Sequence, residues 1–220
     1  MFGISWLSPQ TLIHSFGAFA MLGVMIIIFI ETGLLVGFFL PGDSLLFVTG
    51  LLVSTGAVHI SLGASIDFTV PIWLACLLIS LAAWLGDQTG YLIGHKAGTA
   101  IFNKPDSKFF SHKNVERAHA FFERYGSKAI ILAHFVPIMR TFVPVAAGVG
   151  DMTYRKFLRY NFIGVLGWGS GVTLLGFFLG KIKYVADHVE YFTLAFIVLS
   201  TIPIALEVLK ERRLHKAQQI

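Results

Sequence analysis

Residues 133–148, AHFVPIMRTFVPVAAG, form an apolar stretch that carries one arginine, Arg140, between two prolines, Pro137 and Pro144. An arginine at bilayer depth costs ~2.5–3.5 kcal/mol on insertion scales, so it normally faces a cavity, a counter-ion or a polar ligand. Each proline removes a helical N–H and disfavours helix in the residue before it. Because broken backbone is tolerated at membrane depth only where protein or a water-filled cavity covers it, the stretch predicts a re-entrant segment with a cationic site.

The composition supports a membrane protein. Of the 220 residues, 55% are hydrophobic and 13% are charged, and the mean hydropathy is +0.75. An ordinary soluble domain has about 25% charged residues. The one cysteine, Cys76, excludes an internal disulfide. The N-terminus lacks a basic cluster, and its apolar run from about Phe16 continues beyond a signal core, so we expect it to remain in the mature protein.

The charges are divided unevenly along the chain. All 17 lysines and arginines lie at or after Lys96, whereas the first 95 residues hold only four charged side chains, Glu31, Asp43, Asp67 and Asp87. Basic residues in short loops mark the cytoplasmic side of a membrane protein. Basic loops beside spans explain the pI of 9.4, so we expect no nucleic-acid partner.

The loop charges predict that the second apolar region enters the membrane and returns on the same side. If residues 129–150 dip into the bilayer and return, the basic residues on both sides, including Arg155, Lys156 and Arg159, lie together in the cytoplasm. The first region, in which Glu31 and Asp43 flank a passage rich in Gly and Pro, fits a hairpin that opens outward. A pair of ordinary spans is the alternative for this first region.

The predicted fold is therefore a single all-α membrane domain with two oppositely oriented re-entrant hairpins and about three full spans, a plan that resembles inverted-repeat transporters. Its first half covers residues 11–94, and residues 95–128 form a cytoplasmic loop with an interfacial helix. Its second half covers 129–209, and a basic cytoplasmic tail covers 210–220. Within the span predicted from Pro71, glycines 86, 90, 94 and 98 predict close helix packing rather than a phosphate loop.

Four polar residues interrupt the two broken regions: Glu31, Asp43, His134 and Arg140. Facing hairpins would bring them together near the midplane. A buried carboxylate exchanges protons near neutral pH, and an arginine fork suits a phosphate. The structural alternatives are a helix cap for Asp43, neutralisation of an acid for Arg140 and a hydrogen-bonded interior imidazole for His134.

Three further residues are candidates for a supporting role. Asp87 is expected to pair with a cytoplasmic base or to remain solvated. For Asn161 and Trp168, a helix-to-helix hydrogen bond and aromatic packing are favoured over contact with a ligand.

Several motifs in order resemble the DedA family, whose domain is also called the SNARE-associated or VTT domain. These are ETG, PGDSLL, GDxxGYxxGxxxG, FVPIMRTFVPVAAG and MTxxxF, followed by Asn161 and Trp168, and they cover about residues 31–180. The resemblance implies opposed re-entrant hairpins and translocation of lipid carriers that depends on the proton gradient. Some family members return undecaprenyl phosphate to the inner leaflet, and others are linked to phospholipid movement.

The resemblance also assigns residues. By motif position, Glu31 and Asp43 match the family's two essential acids, and Arg140 matches the second of its two essential arginines. The first of these arginines is replaced by His134. Histidine is neutral or charged near pH 7 whereas arginine is always charged, so the replacement predicts weaker or pH-dependent anion binding.

Together these observations predict a proton-linked transporter that flips a polyprenyl phosphate, namely undecaprenyl phosphate, and not an enzyme. The expected phosphate ligands are Arg140, His134 and Thr141. Glu31 and Asp43 are expected to exchange protons and gate access, with support from Asp87, Asn161 and Trp168. No cofactor and no metal are expected beyond the proton gradient.

The expected partners are a lipid-linked phosphate or a phospholipid and the bilayer itself, and the chain is compatible with a homo-oligomer. The expected location is the bacterial inner membrane, with several spans and a cytoplasmic C-terminus. The alternatives are a phospholipid scramblase of broader headgroup range, a membrane lipid phosphatase and a passive scaffold. A phosphatase of the phosphatidic-acid type would need an Arg-Pro dipeptide or a Ser-Gly-His sequence, and this chain contains neither. A passive scaffold would give the intramembrane Glu31 and Arg140 no purpose.

Overall fold

The computed structural model describes residues 20–34, 42–56, 58–61, 67–102, 122–150, 152–188, 191–192 and 195. The sequence predictions for the remaining parts of the chain lie outside these residues. They include most of the predicted interfacial helix within 95–128, most of the last predicted span and the basic tail 210–220.

The described elements are helical apart from one short strand pair. In chain order they are α1 (Ala20–Gly33), α2 (Gly42–Ser54), β1 (His59–Ser61), β2 (Asp67–Thr69), α3 (Ile72–Phe102), a 3₁₀ turn (Gly126–Lys128), α4 (Ala129–Ala133), α5 (Pro137–Val149), α6 (Tyr154–Val165), a π-helical segment (Leu166–Ser170), α7 (Gly171–Gly180) and α8 (Lys183–Asp187). The antiparallel β1–β2 pair sets Ile60 opposite Phe68. It forms a short hairpin between α2 and α3.

Within the part of the chain that the structure describes, two helical stretches are long and apolar enough to cross a membrane. They are Ile72–Lys96, with 25 residues, and Tyr154–Gly180, with 27 residues and the π-helical segment in its middle. At 1.5 Å per residue, 25 residues extend about 37 Å, which exceeds the ~30 Å hydrocarbon core. Every fourth residue along α3 exposes a large apolar side chain, namely Trp73, Leu77, Leu81 and Leu85. This stripe suits contact with lipid tails.

The second long helix corrects one prediction. The sequence pattern predicted a basic loop after residue 150, but α6 already begins at Tyr154. Arg155, Lys156 and Arg159 are therefore exposed residues of its first two turns. The physical reason is that arginine, lysine and leucine are good helix formers, and no Gly or Pro stops the helix before Phe162.

The shorter helices pack on the two long ones in an exchanged pattern, in which each half of the chain places one short helix on its own long helix and one on the long helix of the other half. In the first half α1 packs on α3, and in the second half α4 packs on α6. The partner helices cross over, because α2 packs on α7 and α5 packs on α3. Each long helix therefore carries one short helix from each half of the chain.

Glycines permit these close approaches. A Cβ at Gly86 would lie 2.7 Å from Phe29 O of α1, and a Cβ at Gly90 would lie 3.3 Å from Pro144 of α5. A Cβ at Gly94 would overlap the backbone of Val145. The predicted packing role is thus confirmed for the first three glycines of the stripe, whereas the surroundings of Gly98 lie outside the described side chains.

Candidate functional site

Arg140 owes its position to the two prolines beside it. Val136 is extended, with φ −117° and ψ 110°, and Pro137 then begins α5. The Arg140 N–H donates to Val136 O at 3.0 Å, so Arg140 lies one turn into the helix. Pro144, four residues later, has no N–H to donate to the carbonyl of Arg140. The backbone is therefore broken before Arg140 and lacks one helical hydrogen bond after it, within the continuous helix α5.

The guanidinium of Arg140 joins two carboxylates from different helices. Its Nη1 donates to Asp43 Oδ1 at 2.7 Å, and its Nη2 donates to Glu31 Oε1. The side chain of Arg140 is 3% exposed and that of Asp43 is 21% exposed, so the cluster reaches the surface at Asp43. A buried arginine requires such partners, because an uncompensated charge is strongly destabilising.

Trp168 completes this cluster. Its Nε1 donates to the same Asp43 Oδ1 at 2.7 Å, and its ring centroid lies 4.0 Å from Cζ of Arg140, in a cation–π contact. The π-helical segment that carries it is tied to α3 by Ser170 and Ser80, whose hydroxyls are 3.1 Å apart. Single π turns often occur at functional sites. Trp168 thus packs, as predicted, and also holds both ions of a charge pair.

Glu31 and Asp43 share the N-terminus of α2. Gly42 begins the helix, Asp43 lies in its first turn, and any side chain at Gly42 would overlap the carboxylate of Glu31. The partial positive charge of a helix N-terminus stabilises carboxylates. Only glycine at position 42 lets both acids gather there. The cluster of Glu31, Asp43, Arg140 and Trp168 is called the arginine cluster below.

His134 and Asp87 form a second buried pair. His134 Nε2 lies 3.1 Å from Asp87 Oδ2, and its Nδ1 lies 2.8 Å from Ile130 O. Both side chains are buried, so the prediction that Asp87 is solvated or pairs with a cytoplasmic base was wrong. Packing of α3 against α5 and α6 turns Asp87 inward. Within the described structure no hydrogen bond or ion pair joins His134 to Arg140, and both ring nitrogens already face protein acceptors.

The remaining predicted residues are buried near these two groups. Thr141 directly follows Arg140 and is buried. Asn161 lies beside Asp87, yet neither its amide nitrogen nor its amide oxygen has a well-formed hydrogen bond among the described residues. Asn161 on α6 therefore lies close enough to Asp87 on α3 to act on its carboxyl, but without the strict geometry of the predicted helix-to-helix hydrogen bond. Sequence reasoning missed Gln88, whose buried amide also has no partner in the same part of the chain; a polar residue in an apolar helix was the available signal.

The residues that the structure describes contain no group of three or more His, Cys, Asp or Glu side chains suited to a metal ion.

Comparison with known proteins identifies the family of the chain. A family model described as the VTT domain matches residues 40–178. The membrane protein Rv0364 of Mycobacterium tuberculosis is 47% identical over 188 residues, which are 86% of this chain and 78% of that protein. Protein DedA of Escherichia coli K12 is 41% identical over 202 residues, which are 92% of this chain and 88% of that protein.

The inner membrane protein YghB of the same E. coli strain is 32% identical over 179 residues, which are 81% of this chain and 75% of that protein. No solved structure matches the chain. The family match covers more than half of the chain, and the relatives are named as membrane or inner membrane proteins. The chain therefore belongs to the VTT-domain family of membrane proteins that includes DedA, and it is a protein of the bacterial inner membrane.

Proposed function

We propose that this protein is a proton-linked transporter that moves a polyprenyl phosphate, namely undecaprenyl phosphate, between the leaflets of the membrane. The observation that carries the proposal is a buried arginine, held by two carboxylates inside a membrane domain. Such ionisable groups mark ion and substrate pathways, because their cost in a membrane is not offset by any gain in packing.

The packing of the helices supports an alternating-access transporter. Helices α2 and α5 have 13 residues each, or about 20 Å, which is shorter than the ~30 Å hydrocarbon core. The exchanged packing on α3 and α7 is what two inverted halves would produce. We propose that α1–α2 forms an outward-opening re-entrant hairpin and that α4–α5 forms one that opens to the cytoplasm, in a multi-pass chain with a cytoplasmic C-terminus.

The charges in the arginine cluster suggest how protons and an anion would be linked. With both carboxylates ionised, the guanidinium and the two acids of the cluster carry a net charge of −1, and both Nη atoms of Arg140 donate to carboxylates. A phosphate would be repelled from this state. Protonation of Glu31 or Asp43 removes a negative charge and frees one face of the guanidinium. Proton binding and phosphate binding then favour each other at the same arginine.

Arg140 is the residue on which the proposal depends, with Thr141 beside it as a hydroxyl ligand. Trp168 would hold the guanidinium in place after a carboxylate has let go, since its ring lies 4.0 Å away. Asp43 is the most exposed ion of the cluster, so it would receive the proton first and would gate access to Arg140. Glu31 would take up and release a proton in turn. The lipid tail would remain among the hydrocarbon chains.

The experiment is transport of labelled undecaprenyl phosphate in proteoliposomes with an imposed proton gradient. Arg140→Ala should reduce the rate at least about tenfold, because a hydrogen-bonded ion contact contributes ~1.5–3 kcal/mol. Arg159→Ala is the matched control, since Arg159 is exposed at the start of α6. Equal rates for the Arg140→Ala variant and the wild type would refute the assignment.

A broader phospholipid transporter is the second candidate. It is favoured by the pairing of His134 with Asp87, because Arg140 is then the one cation in the cluster and would recognise any phosphate group. Transport of phosphatidylglycerol and phosphatidylethanolamine as fast as the carrier lipid, without a proton gradient, would select this reading. We propose transport without hydrolysis, so release of inorganic phosphate would instead select a phosphatase.

A further inference from the structure

The His134–Asp87 pair lies at the break between α4 and α5. His134 is the C-cap residue directly after α4, and the chain is extended at Val136 before α5 begins. Asp87 lies on α3, against which α5 packs. The contact between Nε2 and Oδ2, at 3.1 Å, therefore ties the broken backbone to a membrane-spanning helix.

The two contacts of the imidazole determine how many protons the pair holds. Ile130 O is a carbonyl oxygen and only accepts, so Nδ1 at 2.8 Å must carry a proton. The contact of Nε2 with Asp87 then needs one further proton, either on Nε2 facing a carboxylate or on the carboxyl facing a bare Nε2. Without that proton the neutral ring has a single N–H, so it can keep only one of the two contacts, because the other ring nitrogen then presents a lone pair to an oxygen.

We propose that His134 and Asp87 form a site for one exchangeable proton. While the proton is bound, the hydrogen bond between the two side chains holds the segment between α4 and α5 against α3. When the proton passes to water, the neutral ring can bond to only one of Ile130 O and Asp87 Oδ2, so the break loses one of the two bonds that hold it. Arg140 follows the break in the same segment, so proton loss would also withdraw the arginine from the arginine cluster. His134 acts here as a positioning residue.

The surroundings of the pair have been fitted to it. A Cβ at Gly164 on α6 would lie 2.5 Å from His134 Nδ1, so only glycine leaves room for the ring. Beside it, Asp87 Oδ1 and the amide of Asn161 have no hydrogen-bond partner among the described residues. Unsatisfied buried polar groups call for an explanation, and a rearrangement that pairs them when the proton leaves supplies one.

Few other charges act on the pair. From α5, Arg140 faces Asp87, and from α6 the neutral Asn161 does so. Glu31 of α1 and Asp43 of α2 are bound to Arg140 instead. On α3 itself, the Tyr91 hydroxyl donates to Met152 O at 2.6 Å. The other described charges on the elements against α4 are exposed, namely Lys128, Arg155, Lys156 and Arg159.

The proton is measured directly by NMR of the full chain in nanodiscs, with ¹⁵N-labelled histidine rings and ¹³C-labelled aspartate carboxyls. Between about pH 5 and about pH 9, the His134 ring and the Asp87 carboxyl should change together in one transition of a single proton. In Asp87→Asn, the ring should stay in the neutral form with its proton on Nδ1. Loss of one signal in His134→Gln identifies the residue.

Two controls and two adverse results complete the test. His188→Gln removes an exposed ring whose contacts, with Tyr184 and Tyr191, lie away from the pair, and Glu123→Gln removes an exposed acid, so neither should alter the transition. A wild-type ring that does not change over the range, or one that changes equally in Asp87→Asn, overturns the proposal. The joint ring and carboxyl transition in the wild type needs no variant, so it remains decisive if Asp87→Asn does not fold.

The link to transport rests on the proposed function and is tested separately. His134→Arg places a permanent charge opposite Asp87, so its transport rate should fall about tenfold less than that of the wild type as pH rises through the NMR transition. An NMR transition without lipid transport would refute the proposed function alone. Lipid transport with a silent pair would refute this inference alone.

Discussion

At the scale of single residues, the geometry of Arg140 explains why an arginine is needed. One planar guanidinium reaches Glu31 and Asp43 at once and stacks on Trp168. A lysine ammonium has the same charge but no planar fork, so it would satisfy one acid and leave the other. The arginine cluster therefore depends on the shape of the cation as much as on its charge.

Glu31→Gln tests the charge count in this cluster. The amide keeps the size of the side chain but removes one negative charge, so the guanidinium with Asp43 becomes neutral overall. Binding of the labelled lipid phosphate, measured over a pH series, should depend less on pH than in the wild type. Glu123→Gln, an exposed change of the same kind, is the control. An unaltered pH profile in Glu31→Gln would contradict the proposed exchange of protons at Glu31.

Trp168→Phe tests the indole donor. The ring remains over Arg140, but Asp43 loses the hydrogen bond of 2.7 Å from Nε1. Leaving a largely buried carboxylate oxygen short of a donor should cost ~1–3 kcal/mol. Thermal unfolding in detergent should show a lower midpoint for this variant, whereas Trp73→Phe on the exposed face of α3 should not. Equal midpoints would mean that the ring alone supports the cluster.

At the scale of elements, glycine-mediated contacts hold the short helices on the long ones. Helices α2 and α7 touch backbone to backbone: a Cβ at Gly50 would overlap Thr173 O, and one at Gly176 would overlap Phe47 O. Because α2 carries Asp43 at its N-terminus, this contact places one acid of the arginine cluster. Close packing of α2 is therefore part of the site.

Gly50→Ala should separate α2 from α7 and destabilise the fold by ~1–3 kcal/mol, the usual cost of overpacking. Gly171→Ala is the matched control, since nothing lies within 4 Å of its added methyl group. In thermal unfolding, the first variant should unfold at a lower temperature and the second at the same or a higher one, because alanine favours helix. A neutral Gly50→Ala would show that the two helices do not need this contact.

At the scale of the whole molecule, the charge distribution and the exposed apolar surface agree with a chain whose long helices cross the membrane. Basic residues begin α6, and the β1–β2 pair with no lysine or arginine precedes α3. The exposed apolar stripe of α3 lies between these regions and suits lipid. The arginine cluster draws its residues from α1, α2, α5 and the π-helical segment, and so joins both halves of the chain.

The proposed orientation predicts which ends of the long helices face the cytoplasm. In a Cys76→Ala background, Lys156→Cys should react with a membrane-impermeant maleimide only from the cytoplasmic side, and Thr69→Cys only from the outside. Both positions are exposed, so the label can reach them. The basis is the positive-inside rule, which assigns the basic turn of α6 to the cytoplasm. Labelling of both from one side would contradict the proposed topology.

Much of this protein is readable from its sequence, because the relevant physics is local. Apolar composition identifies the membrane, glycines at every fourth position predict close packing, and the prolines predict the break that precedes Arg140. Unfavourable charges in apolar surroundings also single out Glu31 and Asp43. The substrate, the proton coupling and the two hairpins remain proposals.

The pairing of these charges was decided by the tertiary structure alone. Arg140 meets partners 97 and 109 residues away, and His134 meets one 47 residues away. A helix turns about 100° per residue, so the side that a residue presents depends on how whole helices dock. Docking turned Asp87 inward, gave it His134 as a partner and made Trp168 a donor to Asp43, none of which the local sequence specifies.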